Sequence, residues 1–76
     1  MNGINVVRKG QRYAQIFRSS SHAQVWTVER VFYDLVRVPH AFLINEQEHT
    51  STKTISCSTL ADGMQYHSVG NSRLSV

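Results

Sequence analysis

The stretch that decides the fold is residues 36–45, which read Val36-Arg37-Val38-Pro39-His40-Ala41-Phe42-Leu43-Ile44-Asn45. It is the most continuously apolar part of the chain and holds the only proline. Because proline cannot donate a ladder hydrogen bond, Pro39 predicts the start of a strand, with regular pairing from His40 onward. Alternate side chains of a strand face opposite sides of its sheet. The stretch is therefore predicted to be the central strand of a small β domain.

Two strand-like runs precede this stretch. Residues 11–17 alternate imperfectly, so that either Tyr13 with Phe17 or Ala14 with Ile16 points inward. Residues 25–33 supply four predicted inward side chains: Trp26, Val28, Val31 and Tyr33. The three-residue step between Val28 and Val31 breaks the two-residue period of a strand. We predict a β-bulge at Glu29 or Arg30, which restores the period and bends the strand.

Residues 53–58 predict a fourth strand that forms a hairpin with the central one, with Leu43 opposite Ile55 and Ala41 opposite Cys57. The same assignment of faces pairs Val28 with Leu43. Residues 59–63 are too few for a long helix but suit one helical turn that places Leu60 in the core. A last strand over residues 64–69 follows, with Tyr66 and Val69 as its anchors.

This order of elements predicts a mainly β chain that forms a small five-stranded SH3-like barrel with one short helical turn before the last strand. Residues 1–10 are predicted to be an N-terminal lead-in, residues 11–69 the single domain and residues 70–76 a flexible tail. A ferredoxin-like or other α+β fold is the main alternative. It would require about ten helical residues that the sequence does not supply.

Composition and charge limit the functional class. With 76 residues the chain makes one domain at most, and its hydrophobic fraction of 41% predicts that it folds. Cys57 is the only cysteine, so no internal disulfide forms and a reducing compartment is favoured. The N-terminus lacks a signal-peptide pattern, and no apolar run approaches the ~18 residues of a membrane helix. We therefore expect a cytoplasmic protein without membrane association.

A group of short motifs resembles short proteobacterial proteins that have no assigned activity. The motifs are Trp26-Thr27-Val28, Val31-Phe32, Val38-Pro39-His40-Ala41, Leu43, Lys53-Thr54-Ile55-Ser56, Leu60, Asp62 and Tyr66, within residues 10–69. The resemblance implies a bacterial cytoplasmic origin and transfers no functional residue.

The sequence predicts no catalytic, cofactor-binding or metal-binding residues. The candidate metal ligands are His22, His40, His49, Cys57 and His67, but the closest histidine–cysteine pair is eight residues apart, unlike the short local spacings of zinc sites. Nothing resembles a nucleophile elbow, and Cys57 is predicted to be a small buried hydrophobe. We therefore predict a protein that is not an enzyme and that takes no cofactor and no small-molecule substrate.

A surplus of apolar residues gives the main functional hypothesis. With Ala41 and Leu43 inward, an apolar patch on the second and third strands points outward. Its predicted partner-binding residues are Phe32, Arg37, His40, Phe42 and Ile44. Either the N-terminal segment with Ile4, Val6 and Val7 folds back over this patch, or another chain covers it. The first hypothesis is accordingly a protein-binding or self-associating module, with a homodimer as the simplest assembly.

The second hypothesis is a small β-barrel that binds nucleic acid. Residues 1–38 carry six basic and two acidic residues, whereas residues 39–76 carry two basic and three acidic ones. The predicted phosphate contacts are Arg8, Lys9, Arg12, Arg18, Arg30 and Arg37, with Phe32 or Tyr13 stacking on bases. The plain alternative is that these arginines form an ordinary solvated surface.

Overall fold

The computed structural model describes residues 7–16 and 24–70, and the fold is mainly β. Its elements in chain order are β1 (Arg12–Gln15), β2 (Gln24–Tyr33), β3 (Pro39–Asn45), β4 (Thr52–Ser56), α1 (Cys57–Ala61) and β5 (Tyr66–Ser68). The predicted class, mainly β with a short helix before the last strand, is confirmed. Several predicted features lie outside the described residues: Ile4, Val6, Phe17, Arg18, His22 and positions 71–76 of the tail.

The five strands form one antiparallel sheet in the order β4-β3-β2-β1-β5. Every chain-consecutive pair from β1 to β4 lies side by side, and β5 returns to pair with β1. Over the described residues, β4 and β5 form the two edges and do not pair with each other, so the sheet is not closed. Helix α1 bridges the edges, because it contacts β3, β4 and β5.

The predicted bulge in β2 is confirmed. The register against β3 shifts between Val28 and Arg30, so that Glu29 is the extra residue. Before the bulge, residues 24–27 of β2 pair with β1. Beyond it, β2 pairs with β3 alone among the described strands. We call residues 30–42 of the β2–β3 hairpin the arm; β3 stays paired with β4 as far as His40.

The register of β3 is confirmed on one side and wrong on the other. Val28 lies opposite Leu43 as predicted, but Ala41 lies opposite Ile55, and Leu43 opposite Lys53. The predicted pairs Leu43–Ile55 and Ala41–Cys57 are therefore displaced by two residues. A shift of two keeps every side chain on its predicted face, since the strand period is two.

This displacement follows from where β4 ends. Ser56 has an extended backbone and its Oγ accepts a hydrogen bond from the Thr59 amide at 3.3 Å, which makes Ser56 the N-cap of α1. The helix thus begins at Cys57, two residues earlier than the predicted turn. Leu60 still enters the core with 1% of its surface exposed.

The core lies on one face of the sheet, beneath α1. It contains Val7, Tyr13, Trp26, Val28, Ala41, Leu43, Cys57, Leu60 and Tyr66. Complete burial of a side chain such as Leu43 stabilises the fold by about 1.5–3 kcal/mol. Val7 belongs to this inner core, so it does not cover the outward patch as one prediction required.

Three predicted core positions are wrong. Tyr33 is 68% exposed because it lies at the end of the arm, where no other described strand packs against β2. Val69 follows β5 and is largely exposed, whereas the other predicted anchor, Tyr66, is buried. In β1, Ile16 is exposed although Ala14 is buried, so the alternative that turned both inward is wrong. Tyr13, of the other alternative, is in the core, and its predicted companion Phe17 lies outside the described residues.

Candidate interaction surface

The outward face of β3 carries the predicted patch. Ala41, Leu43 and Asn45 are buried on the inner side, and the residues between them alternate to the other side with intermediate burial. We define the outer patch as the cluster of Phe32, His40, Phe42 and Ile44. The structure brings all four to one face, since Phe32 pairs with His40, and Ile44 follows Phe42 by two residues. The predicted division of β3 into two faces is confirmed.

Arg30 belongs to this cluster. The bulge at Glu29 places Arg30 opposite Phe42, and its guanidinium carbon lies 4.9 Å from the centre of the Phe42 ring. The same carbon lies 5.4 Å from the centre of the Phe32 ring. A guanidinium over aromatic faces is held by cation–π attraction and keeps its hydrogen-bond donors at the ring edges. A residue that the sequence assigned to phosphate contact thus lies within the outer patch.

His40 extends the cluster toward the end of the arm. Its ring stacks on Phe32, with centres 5.8 Å apart and planes inclined by 22°. Nδ1 donates to the Val38 carbonyl oxygen at 2.9 Å and lies 3.7 Å from an oxygen of Asp34. These contacts fix the orientation of the imidazole. The predicted site residue His40 is therefore a structured part of the surface.

Asp34 holds the turn at the end of the arm. Its carboxylate accepts from the amides of Val36 and Val38, both at 2.9 Å. Its carbonyl oxygen accepts from the Arg37 amide at 3.0 Å, and its own amide donates to Val38 at 3.1 Å. Arg37 adopts a left-handed backbone with φ of 66°, unusual for a residue with a Cβ. Arg37, the predicted rim residue, thus projects from a turn with a defined shape.

The apolar side chains at this turn are directed into solvent. Leu35 is 102% exposed and Val36 74%, and beside them Tyr33 and Val38 are also exposed. None of these four residues was predicted to form an interaction surface. The signal was present in the order Tyr33-Asp34-Leu35-Val36, because aspartate favours turns and turn residues do not enter a core.

A shallow groove lies at the opposite end of the same face. It is lined by Thr27, Ile44, Asn45, Glu46 and His49 and has a volume of about 330 Å³. Asn45 is 3% exposed, and its Oδ1 accepts from the amides of Gln47 and Glu48, which shapes the loop beyond β3. Ile44 therefore connects the outer patch with the groove.

The residues predicted to bind phosphate differ in their surroundings. Arg12 is held by Glu46 through Nε at 2.7 Å and Nη2 at 3.0 Å, and this hydrogen-bonded ion pair raises the pKa of the Arg12 guanidinium. Thr27 donates to the same carboxylate at 2.6 Å. Arg8 and Lys9 are exposed in the turn before β1, and Arg18 lies outside the described residues. Tyr13, one of two predicted base-stacking residues, is only 5% exposed, so that assignment is wrong.

The main site residue that the sequence pattern did not predict is an inward-facing lysine. Lys53 lies opposite Leu43 on the core side of β4, with Nζ 4.2 Å from the ring centre of Trp26 and 5.2 Å from that of Tyr66. Nζ donates to Oε1 of Gln15 at 3.0 Å, and Trp26 Nε1 donates to the same oxygen at 3.0 Å. The site is an internal cation–π cluster.

Cys57 is buried in the core, as predicted, although it begins α1 and does not continue the fourth strand. Burial raises the pKa of its thiol. A raised thiol pKa reduces the thiolate fraction that a nucleophile needs.

Within the described residues, no three histidine, cysteine, aspartate or glutamate side chains come together as a metal site would require. In the same part of the chain, no helix has the length and apolar character needed to cross a membrane.

Comparisons of the chain with family sequence models, with curated proteins and with solved structures gave no match.

Proposed function

We propose that this chain is a non-catalytic binding module that contacts a protein partner through the outer patch. The observation that carries the proposal is the cluster of Arg30 with Phe32, Phe42 and His40, continuous with exposed apolar side chains at the end of the arm. The partner is either a foreign protein or a second copy of the chain.

The composition of the patch supports a protein partner. Aromatic residues and arginine are enriched at the cores of protein interfaces, and arginine and aromatic anchors supply much of the binding energy. Arg30 is already stacked on two rings, so it loses little side-chain freedom when a partner covers it. Burial of such a patch gains apolar free energy.

We further propose that the sheet curls into an SH3-like barrel. Three features support this: the antiparallel order of consecutive strands, the return of β5 to β1, and the short helix before β5. The bulge at Glu29 supplies the local bend that a small barrel needs. Helix α1 would then cap the open end between β4 and β5.

Nucleic-acid binding is the second candidate. The observation that favours it is Arg30 stacked on the rings of Phe32 and Phe42, since a basic side chain beside aromatic rings is the kind of surface on which bases stack. Arg12 is already bound to Glu46 and Tyr13 is buried, which leaves fewer groups for it. Phosphate contacts weaken steeply with salt, whereas apolar association does not. A labelled single-stranded oligonucleotide that binds at low salt, and is released as salt rises, would establish this candidate instead.

Site-specific photo-crosslinking tests the protein-binding proposal. A benzophenone amino acid replaces Phe32 in one variant and the equally apolar but remote Met64, which is 78% exposed, in a control. We expect covalent protein adducts from position 32 in the native host, lost on adding Phe42→Asp, and none from position 64. Equal adducts from both positions, or none from position 32, would refute the proposal.

A further inference from the structure

The arm ends in a knob whose shape is set by its backbone. We define the knob as Leu35 and Val36, the two most exposed apolar residues of the turn. Their positions are fixed by the hydrogen bonds to Asp34, so their exposure is a property of an ordered turn. A preorganised apolar knob binds without first losing loop entropy.

The groove lies on the same face at the far end of β3. Along β3 this face presents His40, Phe42 and then Ile44, which lines the groove; the knob precedes His40. With a rise of about 3.3 Å per residue, the groove at Ile44 and the turn at Val38 each lie roughly 10 Å from Ala41, in opposite directions along β3. The knob and the groove therefore flank the outer patch at comparable distances.

From this arrangement we propose that two copies of the chain form a two-fold dimer with antiparallel arms. A two-fold axis between the facing sheets, perpendicular to β3 and level with Ala41, brings the turn of each copy, and with it the knob, to the groove of the other copy. The two outer patches then pack face to face at the centre. Such an isologous contact uses the same surface twice and closes on itself.

Charge supports a second copy as the occupant. The basic residue of the turn, Arg37, is exposed, and the loop beside the groove carries the exposed Glu48. Rotation about the proposed axis brings Arg37 of one copy to the loop of Glu48 in the other, and the reverse. Meanwhile Asp34 is bound by its own loop, and Arg30 lies over phenylalanine rings. The contact thus joins opposite charges at both of its ends.

The same axis predicts a double contact, because each knob–groove pair occurs twice. An ordinary stable interface takes about 800 Å² from each partner. Four exposed apolar residues of the turn and four half-buried residues of the outer patch supply a surface of that order. Since the dimer rests on the proposed function of the outer patch, its test must separate failure of the dimer from failure of the patch.

Sedimentation velocity on the full chain, over about 1–500 μM, provides this test. We expect a species of twice 8.7 kDa at high concentration. Replacing the knob with Leu35→Ser and Val36→Ser should weaken the association at least about tenfold. The control Met64→Ser removes an apolar side chain exposed elsewhere and should leave the association unchanged. Far-ultraviolet circular dichroism checks that each variant is folded.

A charge exchange tests the proposed orientation. Arg37→Glu and Glu48→Arg should each weaken the dimer, and the variant carrying both should regain the wild-type affinity within about threefold. A dimer that is insensitive to the knob, or a double variant no stronger than the single ones, would overturn the proposal.

A monomer at every concentration would also overturn the dimer. If its position 32 still crosslinks to a foreign protein, the outer patch keeps its proposed function with a different occupant. A monomer that associates only after residues 1–6 are removed would assign the surface to the chain's own N-terminal segment. Absence of both association and crosslinks would end both proposals.

Discussion

Replacing Lys53 should destabilise the fold, although lysine is usually a solvent-exposed residue and β4 is a mostly polar strand. Its ammonium lies over two buried rings, 4.2 Å from the ring centre of Trp26 and 5.2 Å from that of Tyr66. Lys53→Met keeps an unbranched apolar stem and removes the charge. We expect it to lower the free energy of unfolding by about 1.5 kcal/mol.

The magnitude follows from the contacts that methionine cannot make. A cation–π contact contributes roughly 0.5–1 kcal/mol where the cation keeps some solvent, and there are two. The hydrogen bond from Nζ to Gln15 is also lost, but Oε1 of Gln15 still accepts from Trp26, so no buried acceptor is left unpaired. The folded wild type also loses free energy because its ammonium is partly desolvated. This cost offsets part of the cation–π and hydrogen-bond energies, so the expected loss of about 1.5 kcal/mol lies in the lower part of their sum.

Denaturant unfolding measures the loss, and the fluorescence of Trp26, the only tryptophan, reports on the cluster itself. A loss of 1.5 kcal/mol corresponds to about 6–12 °C in the melting temperature of a domain this small. Lys9→Met is the matched control, since Lys9 is exposed in a turn and its replacement changes the net charge equally. We expect the control to stay within about 0.5 kcal/mol of the wild type.

Stability equal to the wild type in Lys53→Met, with Lys9→Met also unchanged, would refute the reasoning. It would mean that desolvation of the ammonium cancels its attraction to the rings. Lys53→Ala separates the stem from the charge, because alanine also removes the methylene groups that pack on the core side. We expect it to cost about 1–2 kcal/mol more than Lys53→Met.

Three further predictions concern the loops and the core. Asn45→Ala should lower stability by about 1–3 kcal/mol in denaturant unfolding, because the amides of two loop residues lose their buried acceptor; Asn45→Asp, which keeps an acceptor, should cost less. Arg37→Val should lower stability by about 1–2 kcal/mol, since a β-branched residue opposes the φ of 66°, whereas Arg37→Gly should leave stability equal or higher. The free energy of unfolding should fall in alkaline solution. Burial raises the pKa values of Cys57 and Tyr13 above their ordinary 9.0 and 10.0. The contribution of these two groups to stability is therefore complete below their ordinary pKa values, and it is lost as pH rises through the higher pKa values of the folded state. Cys57→Ala should remove the part of that fall that begins near pH 9, and an unchanged profile would contradict the assignment.

The sequence predicted the faces of β3 and the bulge of β2 because both follow from the period of a strand. Ala41 and Leu43 alternate with Phe42 and Ile44, and only one set can face a core of this size. The step of three between Val28 and Val31 admits a single extra residue, and Glu29 is that residue in the structure.

The pairing of β4 could not be predicted in the same way. Thr52–Ser56 contains one large apolar residue, so its pattern of polarity does not select a register. The cap at Ser56 decides where the strand ends, and that cap depends on the hydroxyl reaching the Thr59 amide. Lys53 was missed for the same reason, since its inward direction follows only from its place opposite Leu43.

The fold explains the backbone of the turn but not its apolar side chains. Every hydrogen bond that shapes the turn involves Asp34 or a main-chain amide, so polar residues at positions 35 and 36 would serve folding equally well. Exposed leucine and valine gain nothing from the core, and they add an aggregation hazard at the end of a hairpin. The apolar side chains of the outer patch are exposed to a smaller extent than the knob, because Arg30 covers part of the Phe32 and Phe42 rings. In the proposed dimer, burial of the knob together with the outer patch supplies the free energy that folding of one chain does not.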